Sequence, residues 1–201
     1  MKIGPKFKIA KRLGAPIFEK TQTAKFAASA SKFGDKKKHA RPGSMSDFKR
    51  QLIEKQKMRF SYGITEKQLR GYVDEAVEKS TKPVPYLMAK LESRLDNVAY
   101  RLGLAKTRRM ARQMASHGHF KVNGKRFTIP SHQVKTGDVI SVRDGSRGSV
   151  IFAEMEEKSA GVPAWLKFDV KKLEGTVASA PTYEPTETLF DPEQVLEFYS
   201  R

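Results

Sequence analysis

The apolar positions from residue 46 onward recur at helical spacing. Ser46 offers an N-capping group for a first helix, and Gly63 stops that helix. A second helix is predicted to start at Thr65. The run Lys82-Pro83-Val84-Pro85 interrupts the pattern, because a proline inside a helix removes a hydrogen bond and clashes with the preceding turn. We therefore predict two helices before this run and a boundary at it.

The next apolar stripe predicts a third helix over residues 86–100, ended by Gly103. Its apolar face consists of Leu87, Leu91, Leu95, Val98 and Leu102. Thr107 is a good N-cap for a fourth helix that runs to about His117, with Gly118 directly after its end.

The fourth predicted helix has two chemically different faces. At about 100° per residue, its polar side chains fall within an arc of about 140°. They are Arg108, Arg109, Arg112, Gln113 and Ser116, opposite Met110, Ala111, Met114 and Ala115. The planar guanidinium fork can bond two phosphate oxygens at once, and this face carries no acidic residue. The pattern favours phosphate binding over an ordinary amphipathic surface helix.

Strand-like alternation follows the fourth helix. Asn123-Gly124 favours a hairpin, because a type I′ turn needs two residues with positive φ. A further strand is predicted over 139–143, after the turn Thr136-Gly137-Asp138. The result is a small antiparallel sheet, edged with Lys121, Lys125, Arg126 and Arg143.

Positive charge is concentrated in the first three quarters of the chain. The whole chain has 39 basic and 22 acidic residues and a net charge of +17. Residues 1–50 carry a net +11, residues 51–145 a net +10 and residues 146–201 a net −4. Such a surplus favours a polyanionic partner, above all a nucleic acid. Residues 1–45, rich in Lys, Gly, Pro and Ser, are predicted to form an extended basic arm.

The composition argues against other classes of partner. The chain has no cysteine, and its four histidines are scattered, so we expect no metal site and no cofactor. No apolar run approaches the roughly 20 residues that span a bilayer, and we expect no membrane partner. No secretory signal pattern opens the chain, and a cytoplasmic location is expected.

One stretch resembles a known RNA-binding domain. The residues from Ser93-Arg94-Leu95-Asp96 through the fourth helix to Val122-Asn123-Gly124, and then Gly137-Asp138-Val139-Ile140, look like the S-four-type RNA-binding domain. That domain also occurs in some pseudouridine synthases and tyrosyl-tRNA synthetases, so by itself it implies binding to structured RNA.

The flanking segments resemble the bacterial ribosomal protein S-four family from end to end. They are Gly4-Pro5-Lys6, Glu54-Lys55-Gln56-Lys57, Tyr62-Gly63, Trp165-Leu166, Glu174-Gly175-Thr176 and Glu197-Phe198-Tyr199-Ser200. The resemblance implies a structural constituent of the small ribosomal subunit that binds the 5′ domain of the rRNA early in assembly. It also implies a place beside the proteins S-three and S-five, near the channel where mRNA enters, and relevance to decoding accuracy.

Two features of the N-terminal arm distinguish this chain from many relatives. Basic residues of the N-terminal arm touch incoming mRNA in relatives, and Arg41 best matches such a position, whereas Ser44 replaces the next arginine. Many relatives hold zinc through cysteines of this arm; this chain has none and resembles the zinc-free branch.

The residues predicted to contact RNA combine the helix face, the hairpin and basic positions elsewhere. They are Lys6, Lys8, Lys11, Arg12, Arg41, Arg50, Lys55, Lys57, Arg59, Arg70, Arg94, Arg101, Thr107, Arg108, Arg109, Arg112, Gln113, Ser116, His117, His119, Lys121, Asn123, Lys125 and Arg143.

Three alternatives compete with the ribosomal interpretation. The tripeptide Arg94-Leu95-Asp96 also occurs as the catalytic tripeptide of pseudouridine synthases, but no large catalytic domain accompanies it, and we expect no enzyme. A stand-alone assembly or rescue factor would lack the helical region 46–85. A DNA-binding protein would need a recognisable docking motif.

We predict an α+β fold with two lobes. The first is mainly helical, with the basic extended arm of residues 1–45 and a helical domain at 46–90. The second is a small RNA-binding module at 91–160, with two helices and a short twisted antiparallel sheet. Asp191-Pro192-Glu193 is expected to open a terminal helix, and residues 161–201 to pack back on the first lobe.

Overall fold

The chain forms two compact units. A computed structural model describes residues 3–29, 45–149, 152, 161–185 and 188–200. Unit 1 comprises Met1–Val84 and Glu184–Arg201, and unit 2 comprises Pro85–Tyr183. Unit 1 is helical, and unit 2 combines helices with an antiparallel sheet. The predicted α+β class is confirmed.

The named elements are as follows. The helices are α1 (Lys6–Leu13), α2 (Asp47–Tyr62), α3 (Glu66–Lys79), α4 (Pro83–Glu92), α5 (Leu95–Arg101), α6 (Arg108–His117), α7 (Asp144–Arg147) and α8 (Pro192–Tyr199). The strands are β1 (Phe120–Val122), β2 (Lys125–Phe127), β3 (Val139–Val142), β4 (Leu166–Asp169) and β5 (Glu174–Val177). Residues 19–21 form a 3₁₀ turn, and residues 24–29 are helical.

Local capping signals set the ends of several helices, as predicted. The Ser46 hydroxyl accepts a hydrogen bond from the first turn of α2, and Gly63 ends that helix with φ 63°. Thr107 Oγ1 accepts a bond of 3.1 Å from the backbone N–H of Met110, and Gly118 ends α6 with φ 73°. The bounds predicted for these two helices are confirmed.

The third predicted helix is two helices in the structure. Helix α4 begins at Pro83, because proline is tolerated in a first turn where its missing N–H has no partner to lose. Arg94 is extended, with φ −67° and ψ 137°, and separates α4 from α5. The backbone of Leu95 donates to His132 O at 2.8 Å. The prediction of one helix over 86–100 was therefore wrong, because pairing with a distant segment breaks it.

The first residues are more ordered than an extended arm. Helix α1 ends at Gly14, which has φ 69°. Ala10, Leu13 and Phe18 are buried in a cluster that also contains Phe60 of α2. The extended-arm prediction is wrong for residues 3–29, because their scattered apolar side chains find a partner in α2. Residues 30–44 lie outside the described part of the chain.

The sheet of unit 2 has the strand order β2-β1-β3-β5-β4, and every pairing is antiparallel. The β1–β2 turn has φ 50° at Asn123 and 77° at Gly124, which confirms the predicted hairpin. Helices α5 and α6 bury their apolar faces in the same core. Strands β4 and β5 also belong to this sheet, and Trp165 and Leu166 lie in its core. The expectation that residues 161–183 pack on the first lobe was therefore wrong.

The terminal helix α8 packs against α2 within unit 1. Asp191 caps it by accepting from Glu193 N, as its sequence predicted. Gln51 Nε2 donates to Glu197 Oε2 at 2.9 Å, and the rings of Phe48 and Phe198 lie 5.6 Å apart.

Candidate nucleic-acid interface

The outward face of α6 is polar and basic. Arg109, Gln113 and Ser116 are exposed, and Arg112 is half-buried. Ala111 and Met114 on the other side are buried in the core. No hydrogen bond or ion pair joins the Arg109 side chain to another residue of the described chain. Its guanidinium is therefore available to a phosphate, with the positive end of the helix nearby.

Arg108 has a different role from its neighbour. Its Nε donates to Asn97 Oδ1 at 2.7 Å, and its guanidinium lies 4.5 Å from the centre of the Tyr100 ring. The buried Glu92 carboxylate accepts from Asn97 at 2.8 Å and from Arg101 Nε at 2.9 Å, and lies 3.9 Å from Arg108. Arg101 and Arg108, both predicted to contact RNA, thus also tie α4, α5 and α6 together.

Arg94 is wholly buried and cannot contact RNA in this conformation. Its side chain is 0% exposed, and its Nε and Nη2 donate to the two carboxylate oxygens of Asp96 at 3.0 and 2.7 Å. The RNA contact predicted for Arg94 is therefore wrong. A buried arginine needs a partner for its charge, and Asp96 supplies it through a bidentate fork.

The C-terminal end of α6 meets the β1–β2 hairpin at Arg126. The Arg126 guanidinium donates to His117 O at 3.1 Å and crosses directly over Gly118. A Cβ at Gly118 would lie 2.2 Å from Arg126 Nε. Glycine therefore suits this position for two reasons, its positive φ and the close approach of the Arg126 side chain. The rings of His117 and His119 lie nearly parallel, with an angle of 12° between their planes.

His119 lies among other basic side chains. Burial lowers the pKa of His119, and the nearby charges of His117, Arg143 and Arg126 lower it further. Since neighbouring cations disfavour another positive charge, His119 contributes a neutral ring to this surface at neutral pH.

The hairpin is held in place by polar contacts. Asn123 uses both ends of its amide, donating to Asp138 Oδ1 at 2.8 Å and accepting from Val139 N at 2.9 Å. Lys121 donates to Asp144 at 2.5 Å, and this hydrogen bond lowers the pKa of the Asp144 carboxyl. Lys125 is exposed. Asn123 and Lys121 therefore position the hairpin, while Lys125 points its charge outward.

Three of the basic residues predicted in unit 1 serve its internal structure. Lys55 is 8% exposed and donates to Glu66 at 2.8 Å. Lys57 is 16% exposed and binds Glu54 at 2.7 Å, and Arg59 lies 3.6 Å from Glu66. Because these charges are already matched at short range, the predicted RNA contacts of Lys55 and Lys57 do not fit this structure.

Other predicted positions of unit 1 remain accessible. Lys8, Arg12, Arg50 and Arg70 are exposed, and Lys6 and Lys11 are half-buried. Arg50 and Arg70 face carboxylates one turn away, at 3.6 and 3.9 Å. Arg41 lies outside the described residues.

The described residues form neither a cluster that could hold a metal ion nor a helix that could span a membrane. They contain no group of three or more His, Asp or Glu side chains placed to hold a metal ion. None of their helices is both long and apolar enough to cross a membrane.

Comparison with known proteins agrees with the two-part organisation. Residues 93–140 match the family described as "S4 domain", and residues 1–92 match "Ribosomal protein S4/S9 N-terminal domain". The chain is 42% identical to the small ribosomal subunit protein uS4 of Chromobacterium violaceum, over 99% of this chain and 98% of the relative. The chain belongs to the uS4 family. The resemblance read from its sequence is confirmed.

Other members show the same extent of similarity. The uS4 protein of Latilactobacillus sakei is 40% identical over 98% of both chains. That of Geobacillus thermodenitrificans is 41% identical, again over 98% of both. The similarity therefore includes both units.

In this uS4-family chain, three exposed cations extend the basic surface beyond the predicted contacts. Lys106 immediately precedes the cap of α6, and Arg147 follows β3 at 40% exposure. Arg126, which the sequence placed at the sheet edge, lies against the end of α6. The dipeptide Lys125-Arg126 was a local signal for this last residue, whereas the placement of Arg147 depends on the fold of α7.

Proposed function

We propose that this protein is a structural constituent of the small ribosomal subunit that binds rRNA directly through unit 2. The binding surface comprises the outward face of α6, the β1–β2 hairpin and Arg143. The observation that carries this proposal is the exposed, acid-free face of α6, which presents Arg109 and Arg112 beside Gln113 and Ser116. Membership of the uS4 family supports the same conclusion.

Recognition in this proposal depends on phosphate geometry and RNA shape. Arginine forks suit phosphate oxygens, and the deep major groove of an RNA helix keeps its base edges from side chains. Lys106, Arg126 and Lys125 add positive charge around the helix face. The basic residues exposed in unit 1 provide further electrostatic attraction.

An enzymatic role is not part of the proposal. Asp96 would be the nucleophile of a pseudouridine synthase, but both its carboxylate oxygens bind Arg94, and its side chain is 5% exposed. A catalytic carboxylate must reach its substrate. Asp96 here stabilises the start of α5 instead.

The finer parts of the proposal follow the family. The rRNA target is the 5′ domain, binding occurs early in assembly, and the neighbours are the small-subunit proteins S-three and S-five. The location is the cytoplasmic ribosome, near the channel where mRNA enters, with an influence on decoding accuracy. Assembly in which the protein is added last, instead of first, tests the early role: a marked loss of complete subunits is expected only if it acts early.

The main test is binding to a transcript of the small-subunit rRNA 5′ domain and to an unrelated folded RNA across a salt series. Specific contacts should keep the first complex tight at salt concentrations that dissociate the second. Equal and steeply salt-dependent binding to both RNAs would contradict the proposal and favour a stand-alone RNA-binding factor.

A further inference from the structure

A groove of about 340 Å³ lies along the C-terminal half of α6. It is lined by Met110, Gln113, Met114, His117 and His119. The first four of these are spaced three and four residues apart, so they form one stripe along the helix. The stripe lies beside the outward arginines of α6, and together with His119 it combines two thioethers, an amide and two imidazole rings.

The structure fixes the ring of His119 at one end of this groove. His119 Nδ1 lies 2.9 Å from Ser146 Oγ, within hydrogen-bond distance. The ring also makes an edge contact with buried Phe152, at 6.5 Å between centres. His117 is exposed and lies nearly parallel to His119. The groove therefore offers flat aromatic faces, one of them rigidly placed.

The rim of the groove is positively charged. Arg126 donates to the carbonyl of His117, and Arg143 lies close enough for its charge to act on His119. The exposed fork of Arg109 lies on the same helix. A phosphate backbone attracted to this rim would bring its bases to the mouth of the groove.

We propose that this groove binds one unpaired nucleobase of the rRNA, turned out of its stack. The inference rests on the proposed rRNA-binding function and adds a specificity site to it. A base has flat faces that suit imidazole and thioether contacts, and polar edges that suit the Gln113 amide. A phosphate would gain no hydrogen bonds from the methionine side chains that line the groove. An apolar protein segment would gain nothing from the positive charges around it.

The test compares the full-length protein with its His117→Ala and Gln113→Ala variants on the 5′-domain transcript. Binding is measured across a salt series at one pH for all variants. Base-specific chemical probing of the bound RNA accompanies it. Thr136→Ala is the control, because Thr136 is an exposed, uncharged residue of unit 2 that lies outside the proposed binding surface and does not line the groove.

Loss of the stack in His117→Ala should weaken binding by roughly 5- to 150-fold, the range for a base–aromatic contact. The salt slope should not change, because no phosphate contact is lost. One base, protected in the wild-type complex, should become reactive in both variants. His117→Phe should restore affinity and protection, since it keeps an aromatic ring, and Thr136→Ala should bind like the wild type.

Three other outcomes overturn the inference. If His117→Ala binds as tightly with unchanged base reactivities, the groove is empty in the complex, while the rRNA-binding function stands. If its salt slope falls by one contact and His117→Phe fails to restore it, His117 binds phosphate instead. If the wild type itself does not prefer the 5′ domain, the proposed function fails and this site with it. Helicity by circular dichroism verifies that each variant is folded.

Discussion

At the scale of single residues, the Arg94–Asp96 pair shows how an arginine in an RNA-binding domain can serve the fold alone. Replacing Arg94 by alanine leaves the buried Asp96 charge without its partner. We expect Arg94→Ala to lower the free energy of unfolding of unit 2 by about 3–5 kcal/mol. Denaturant unfolding measures this change in free energy. The fluorescence of Trp165 reports the transition, because Trp165 is the single tryptophan and lies in the core of unit 2.

The exposed Arg109 provides the matched control for Arg94. Arg109→Ala should change the free energy of unfolding by no more than about 0.5 kcal/mol, because its side chain has no partner in the described chain. Unchanged unfolding of Arg94→Ala together with weaker RNA binding would mean that the buried pair opens in the complex.

Glu66 carries a pH-dependent part of the stability of unit 1. Burial raises the pKa of Glu66, but hydrogen bonds from Lys55 and Tyr199 and the charges of Lys55 and Arg59 outweigh it, so the net pKa is lowered. Burial and the hydrogen bond to Glu66 raise the pKa of Tyr199. A carboxylate with a lowered pKa stabilises the folded state above its unfolded pKa, about 4.3, and loses that contribution as pH falls through the folded value.

We therefore expect Glu66→Gln to destabilise unit 1 at neutral pH by about 1 kcal/mol, a modest value because the side chain is 44% exposed. The difference from the wild type should vanish in acid. Urea unfolding followed by circular dichroism over a pH series measures it. Glu78→Gln removes the same charge from an exposed site on α3 and should show no such pH-dependent difference.

At the scale of elements, Gly175 sets how closely β5 approaches Leu102, the residue that follows α5. A Cβ at Gly175 would lie 2.4 Å from a methyl carbon of Leu102, whose side chain is fully buried. We expect Gly175→Ala to destabilise unit 2 by about 1–3 kcal/mol, because the core must shift to admit the methyl group. The transition of Trp165 fluorescence in urea reports this change.

The same substitution at Gly71 should have the opposite sign. Gly71 lies within α3, and a Cβ there would meet no atom within 4 Å. Alanine forms helix more readily than glycine by about 1 kcal/mol, so Gly71→Ala should stabilise unit 1. Equal effects at the two glycines would show that helix and strand propensity, and not the Leu102 contact, decide the result.

Elements defined by local signals were predictable from the sequence. Helix α6 has its cap, its terminal glycine and its two faces within one stretch, and the β1–β2 turn needs only Asn123-Gly124. The break at Arg94 was not predictable, because the backbone bond from Leu95 to His132 causes it. Strands β4 and β5 were missed for the same reason, since both are short, and β5 joins the sheet by pairing with β3 across a long separation in sequence, with β4 pairing with β5.

The residues of the candidate site likewise include some whose placement the sequence predicted and others whose placement depends on distant elements. Residue type and helical period predicted that Arg109 and Arg112 face outward from α6. They did not predict that Arg108 turns inward, because that depends on Glu92 and Tyr100 of other elements. Lys55 likewise follows a basic pattern, yet it faces Glu66 of the next helix.

At the scale of the whole molecule, the question is whether the net charge of +17 or the face of α6 dominates rRNA binding. Arg109→Ala with Arg112→Ala removes two charges from that face. Lys167→Ala with Lys171→Ala removes two from exposed positions of β4 and the turn after it, at the sheet edge opposite β2. Both double variants have the same net charge, so a general electrostatic attraction would weaken equally in both.

We expect the two pairs to behave differently on the 5′-domain transcript. The arginine pair should weaken binding and reduce the slope of log affinity against log salt by one to two contacts, at roughly 0.7 to 0.9 each. The lysine pair should leave slope and affinity nearly unchanged, because a distant exposed charge is screened within about 10 Å at ordinary salt. An equal loss in both variants would remove α6 from the interface and leave net charge as the source of affinity.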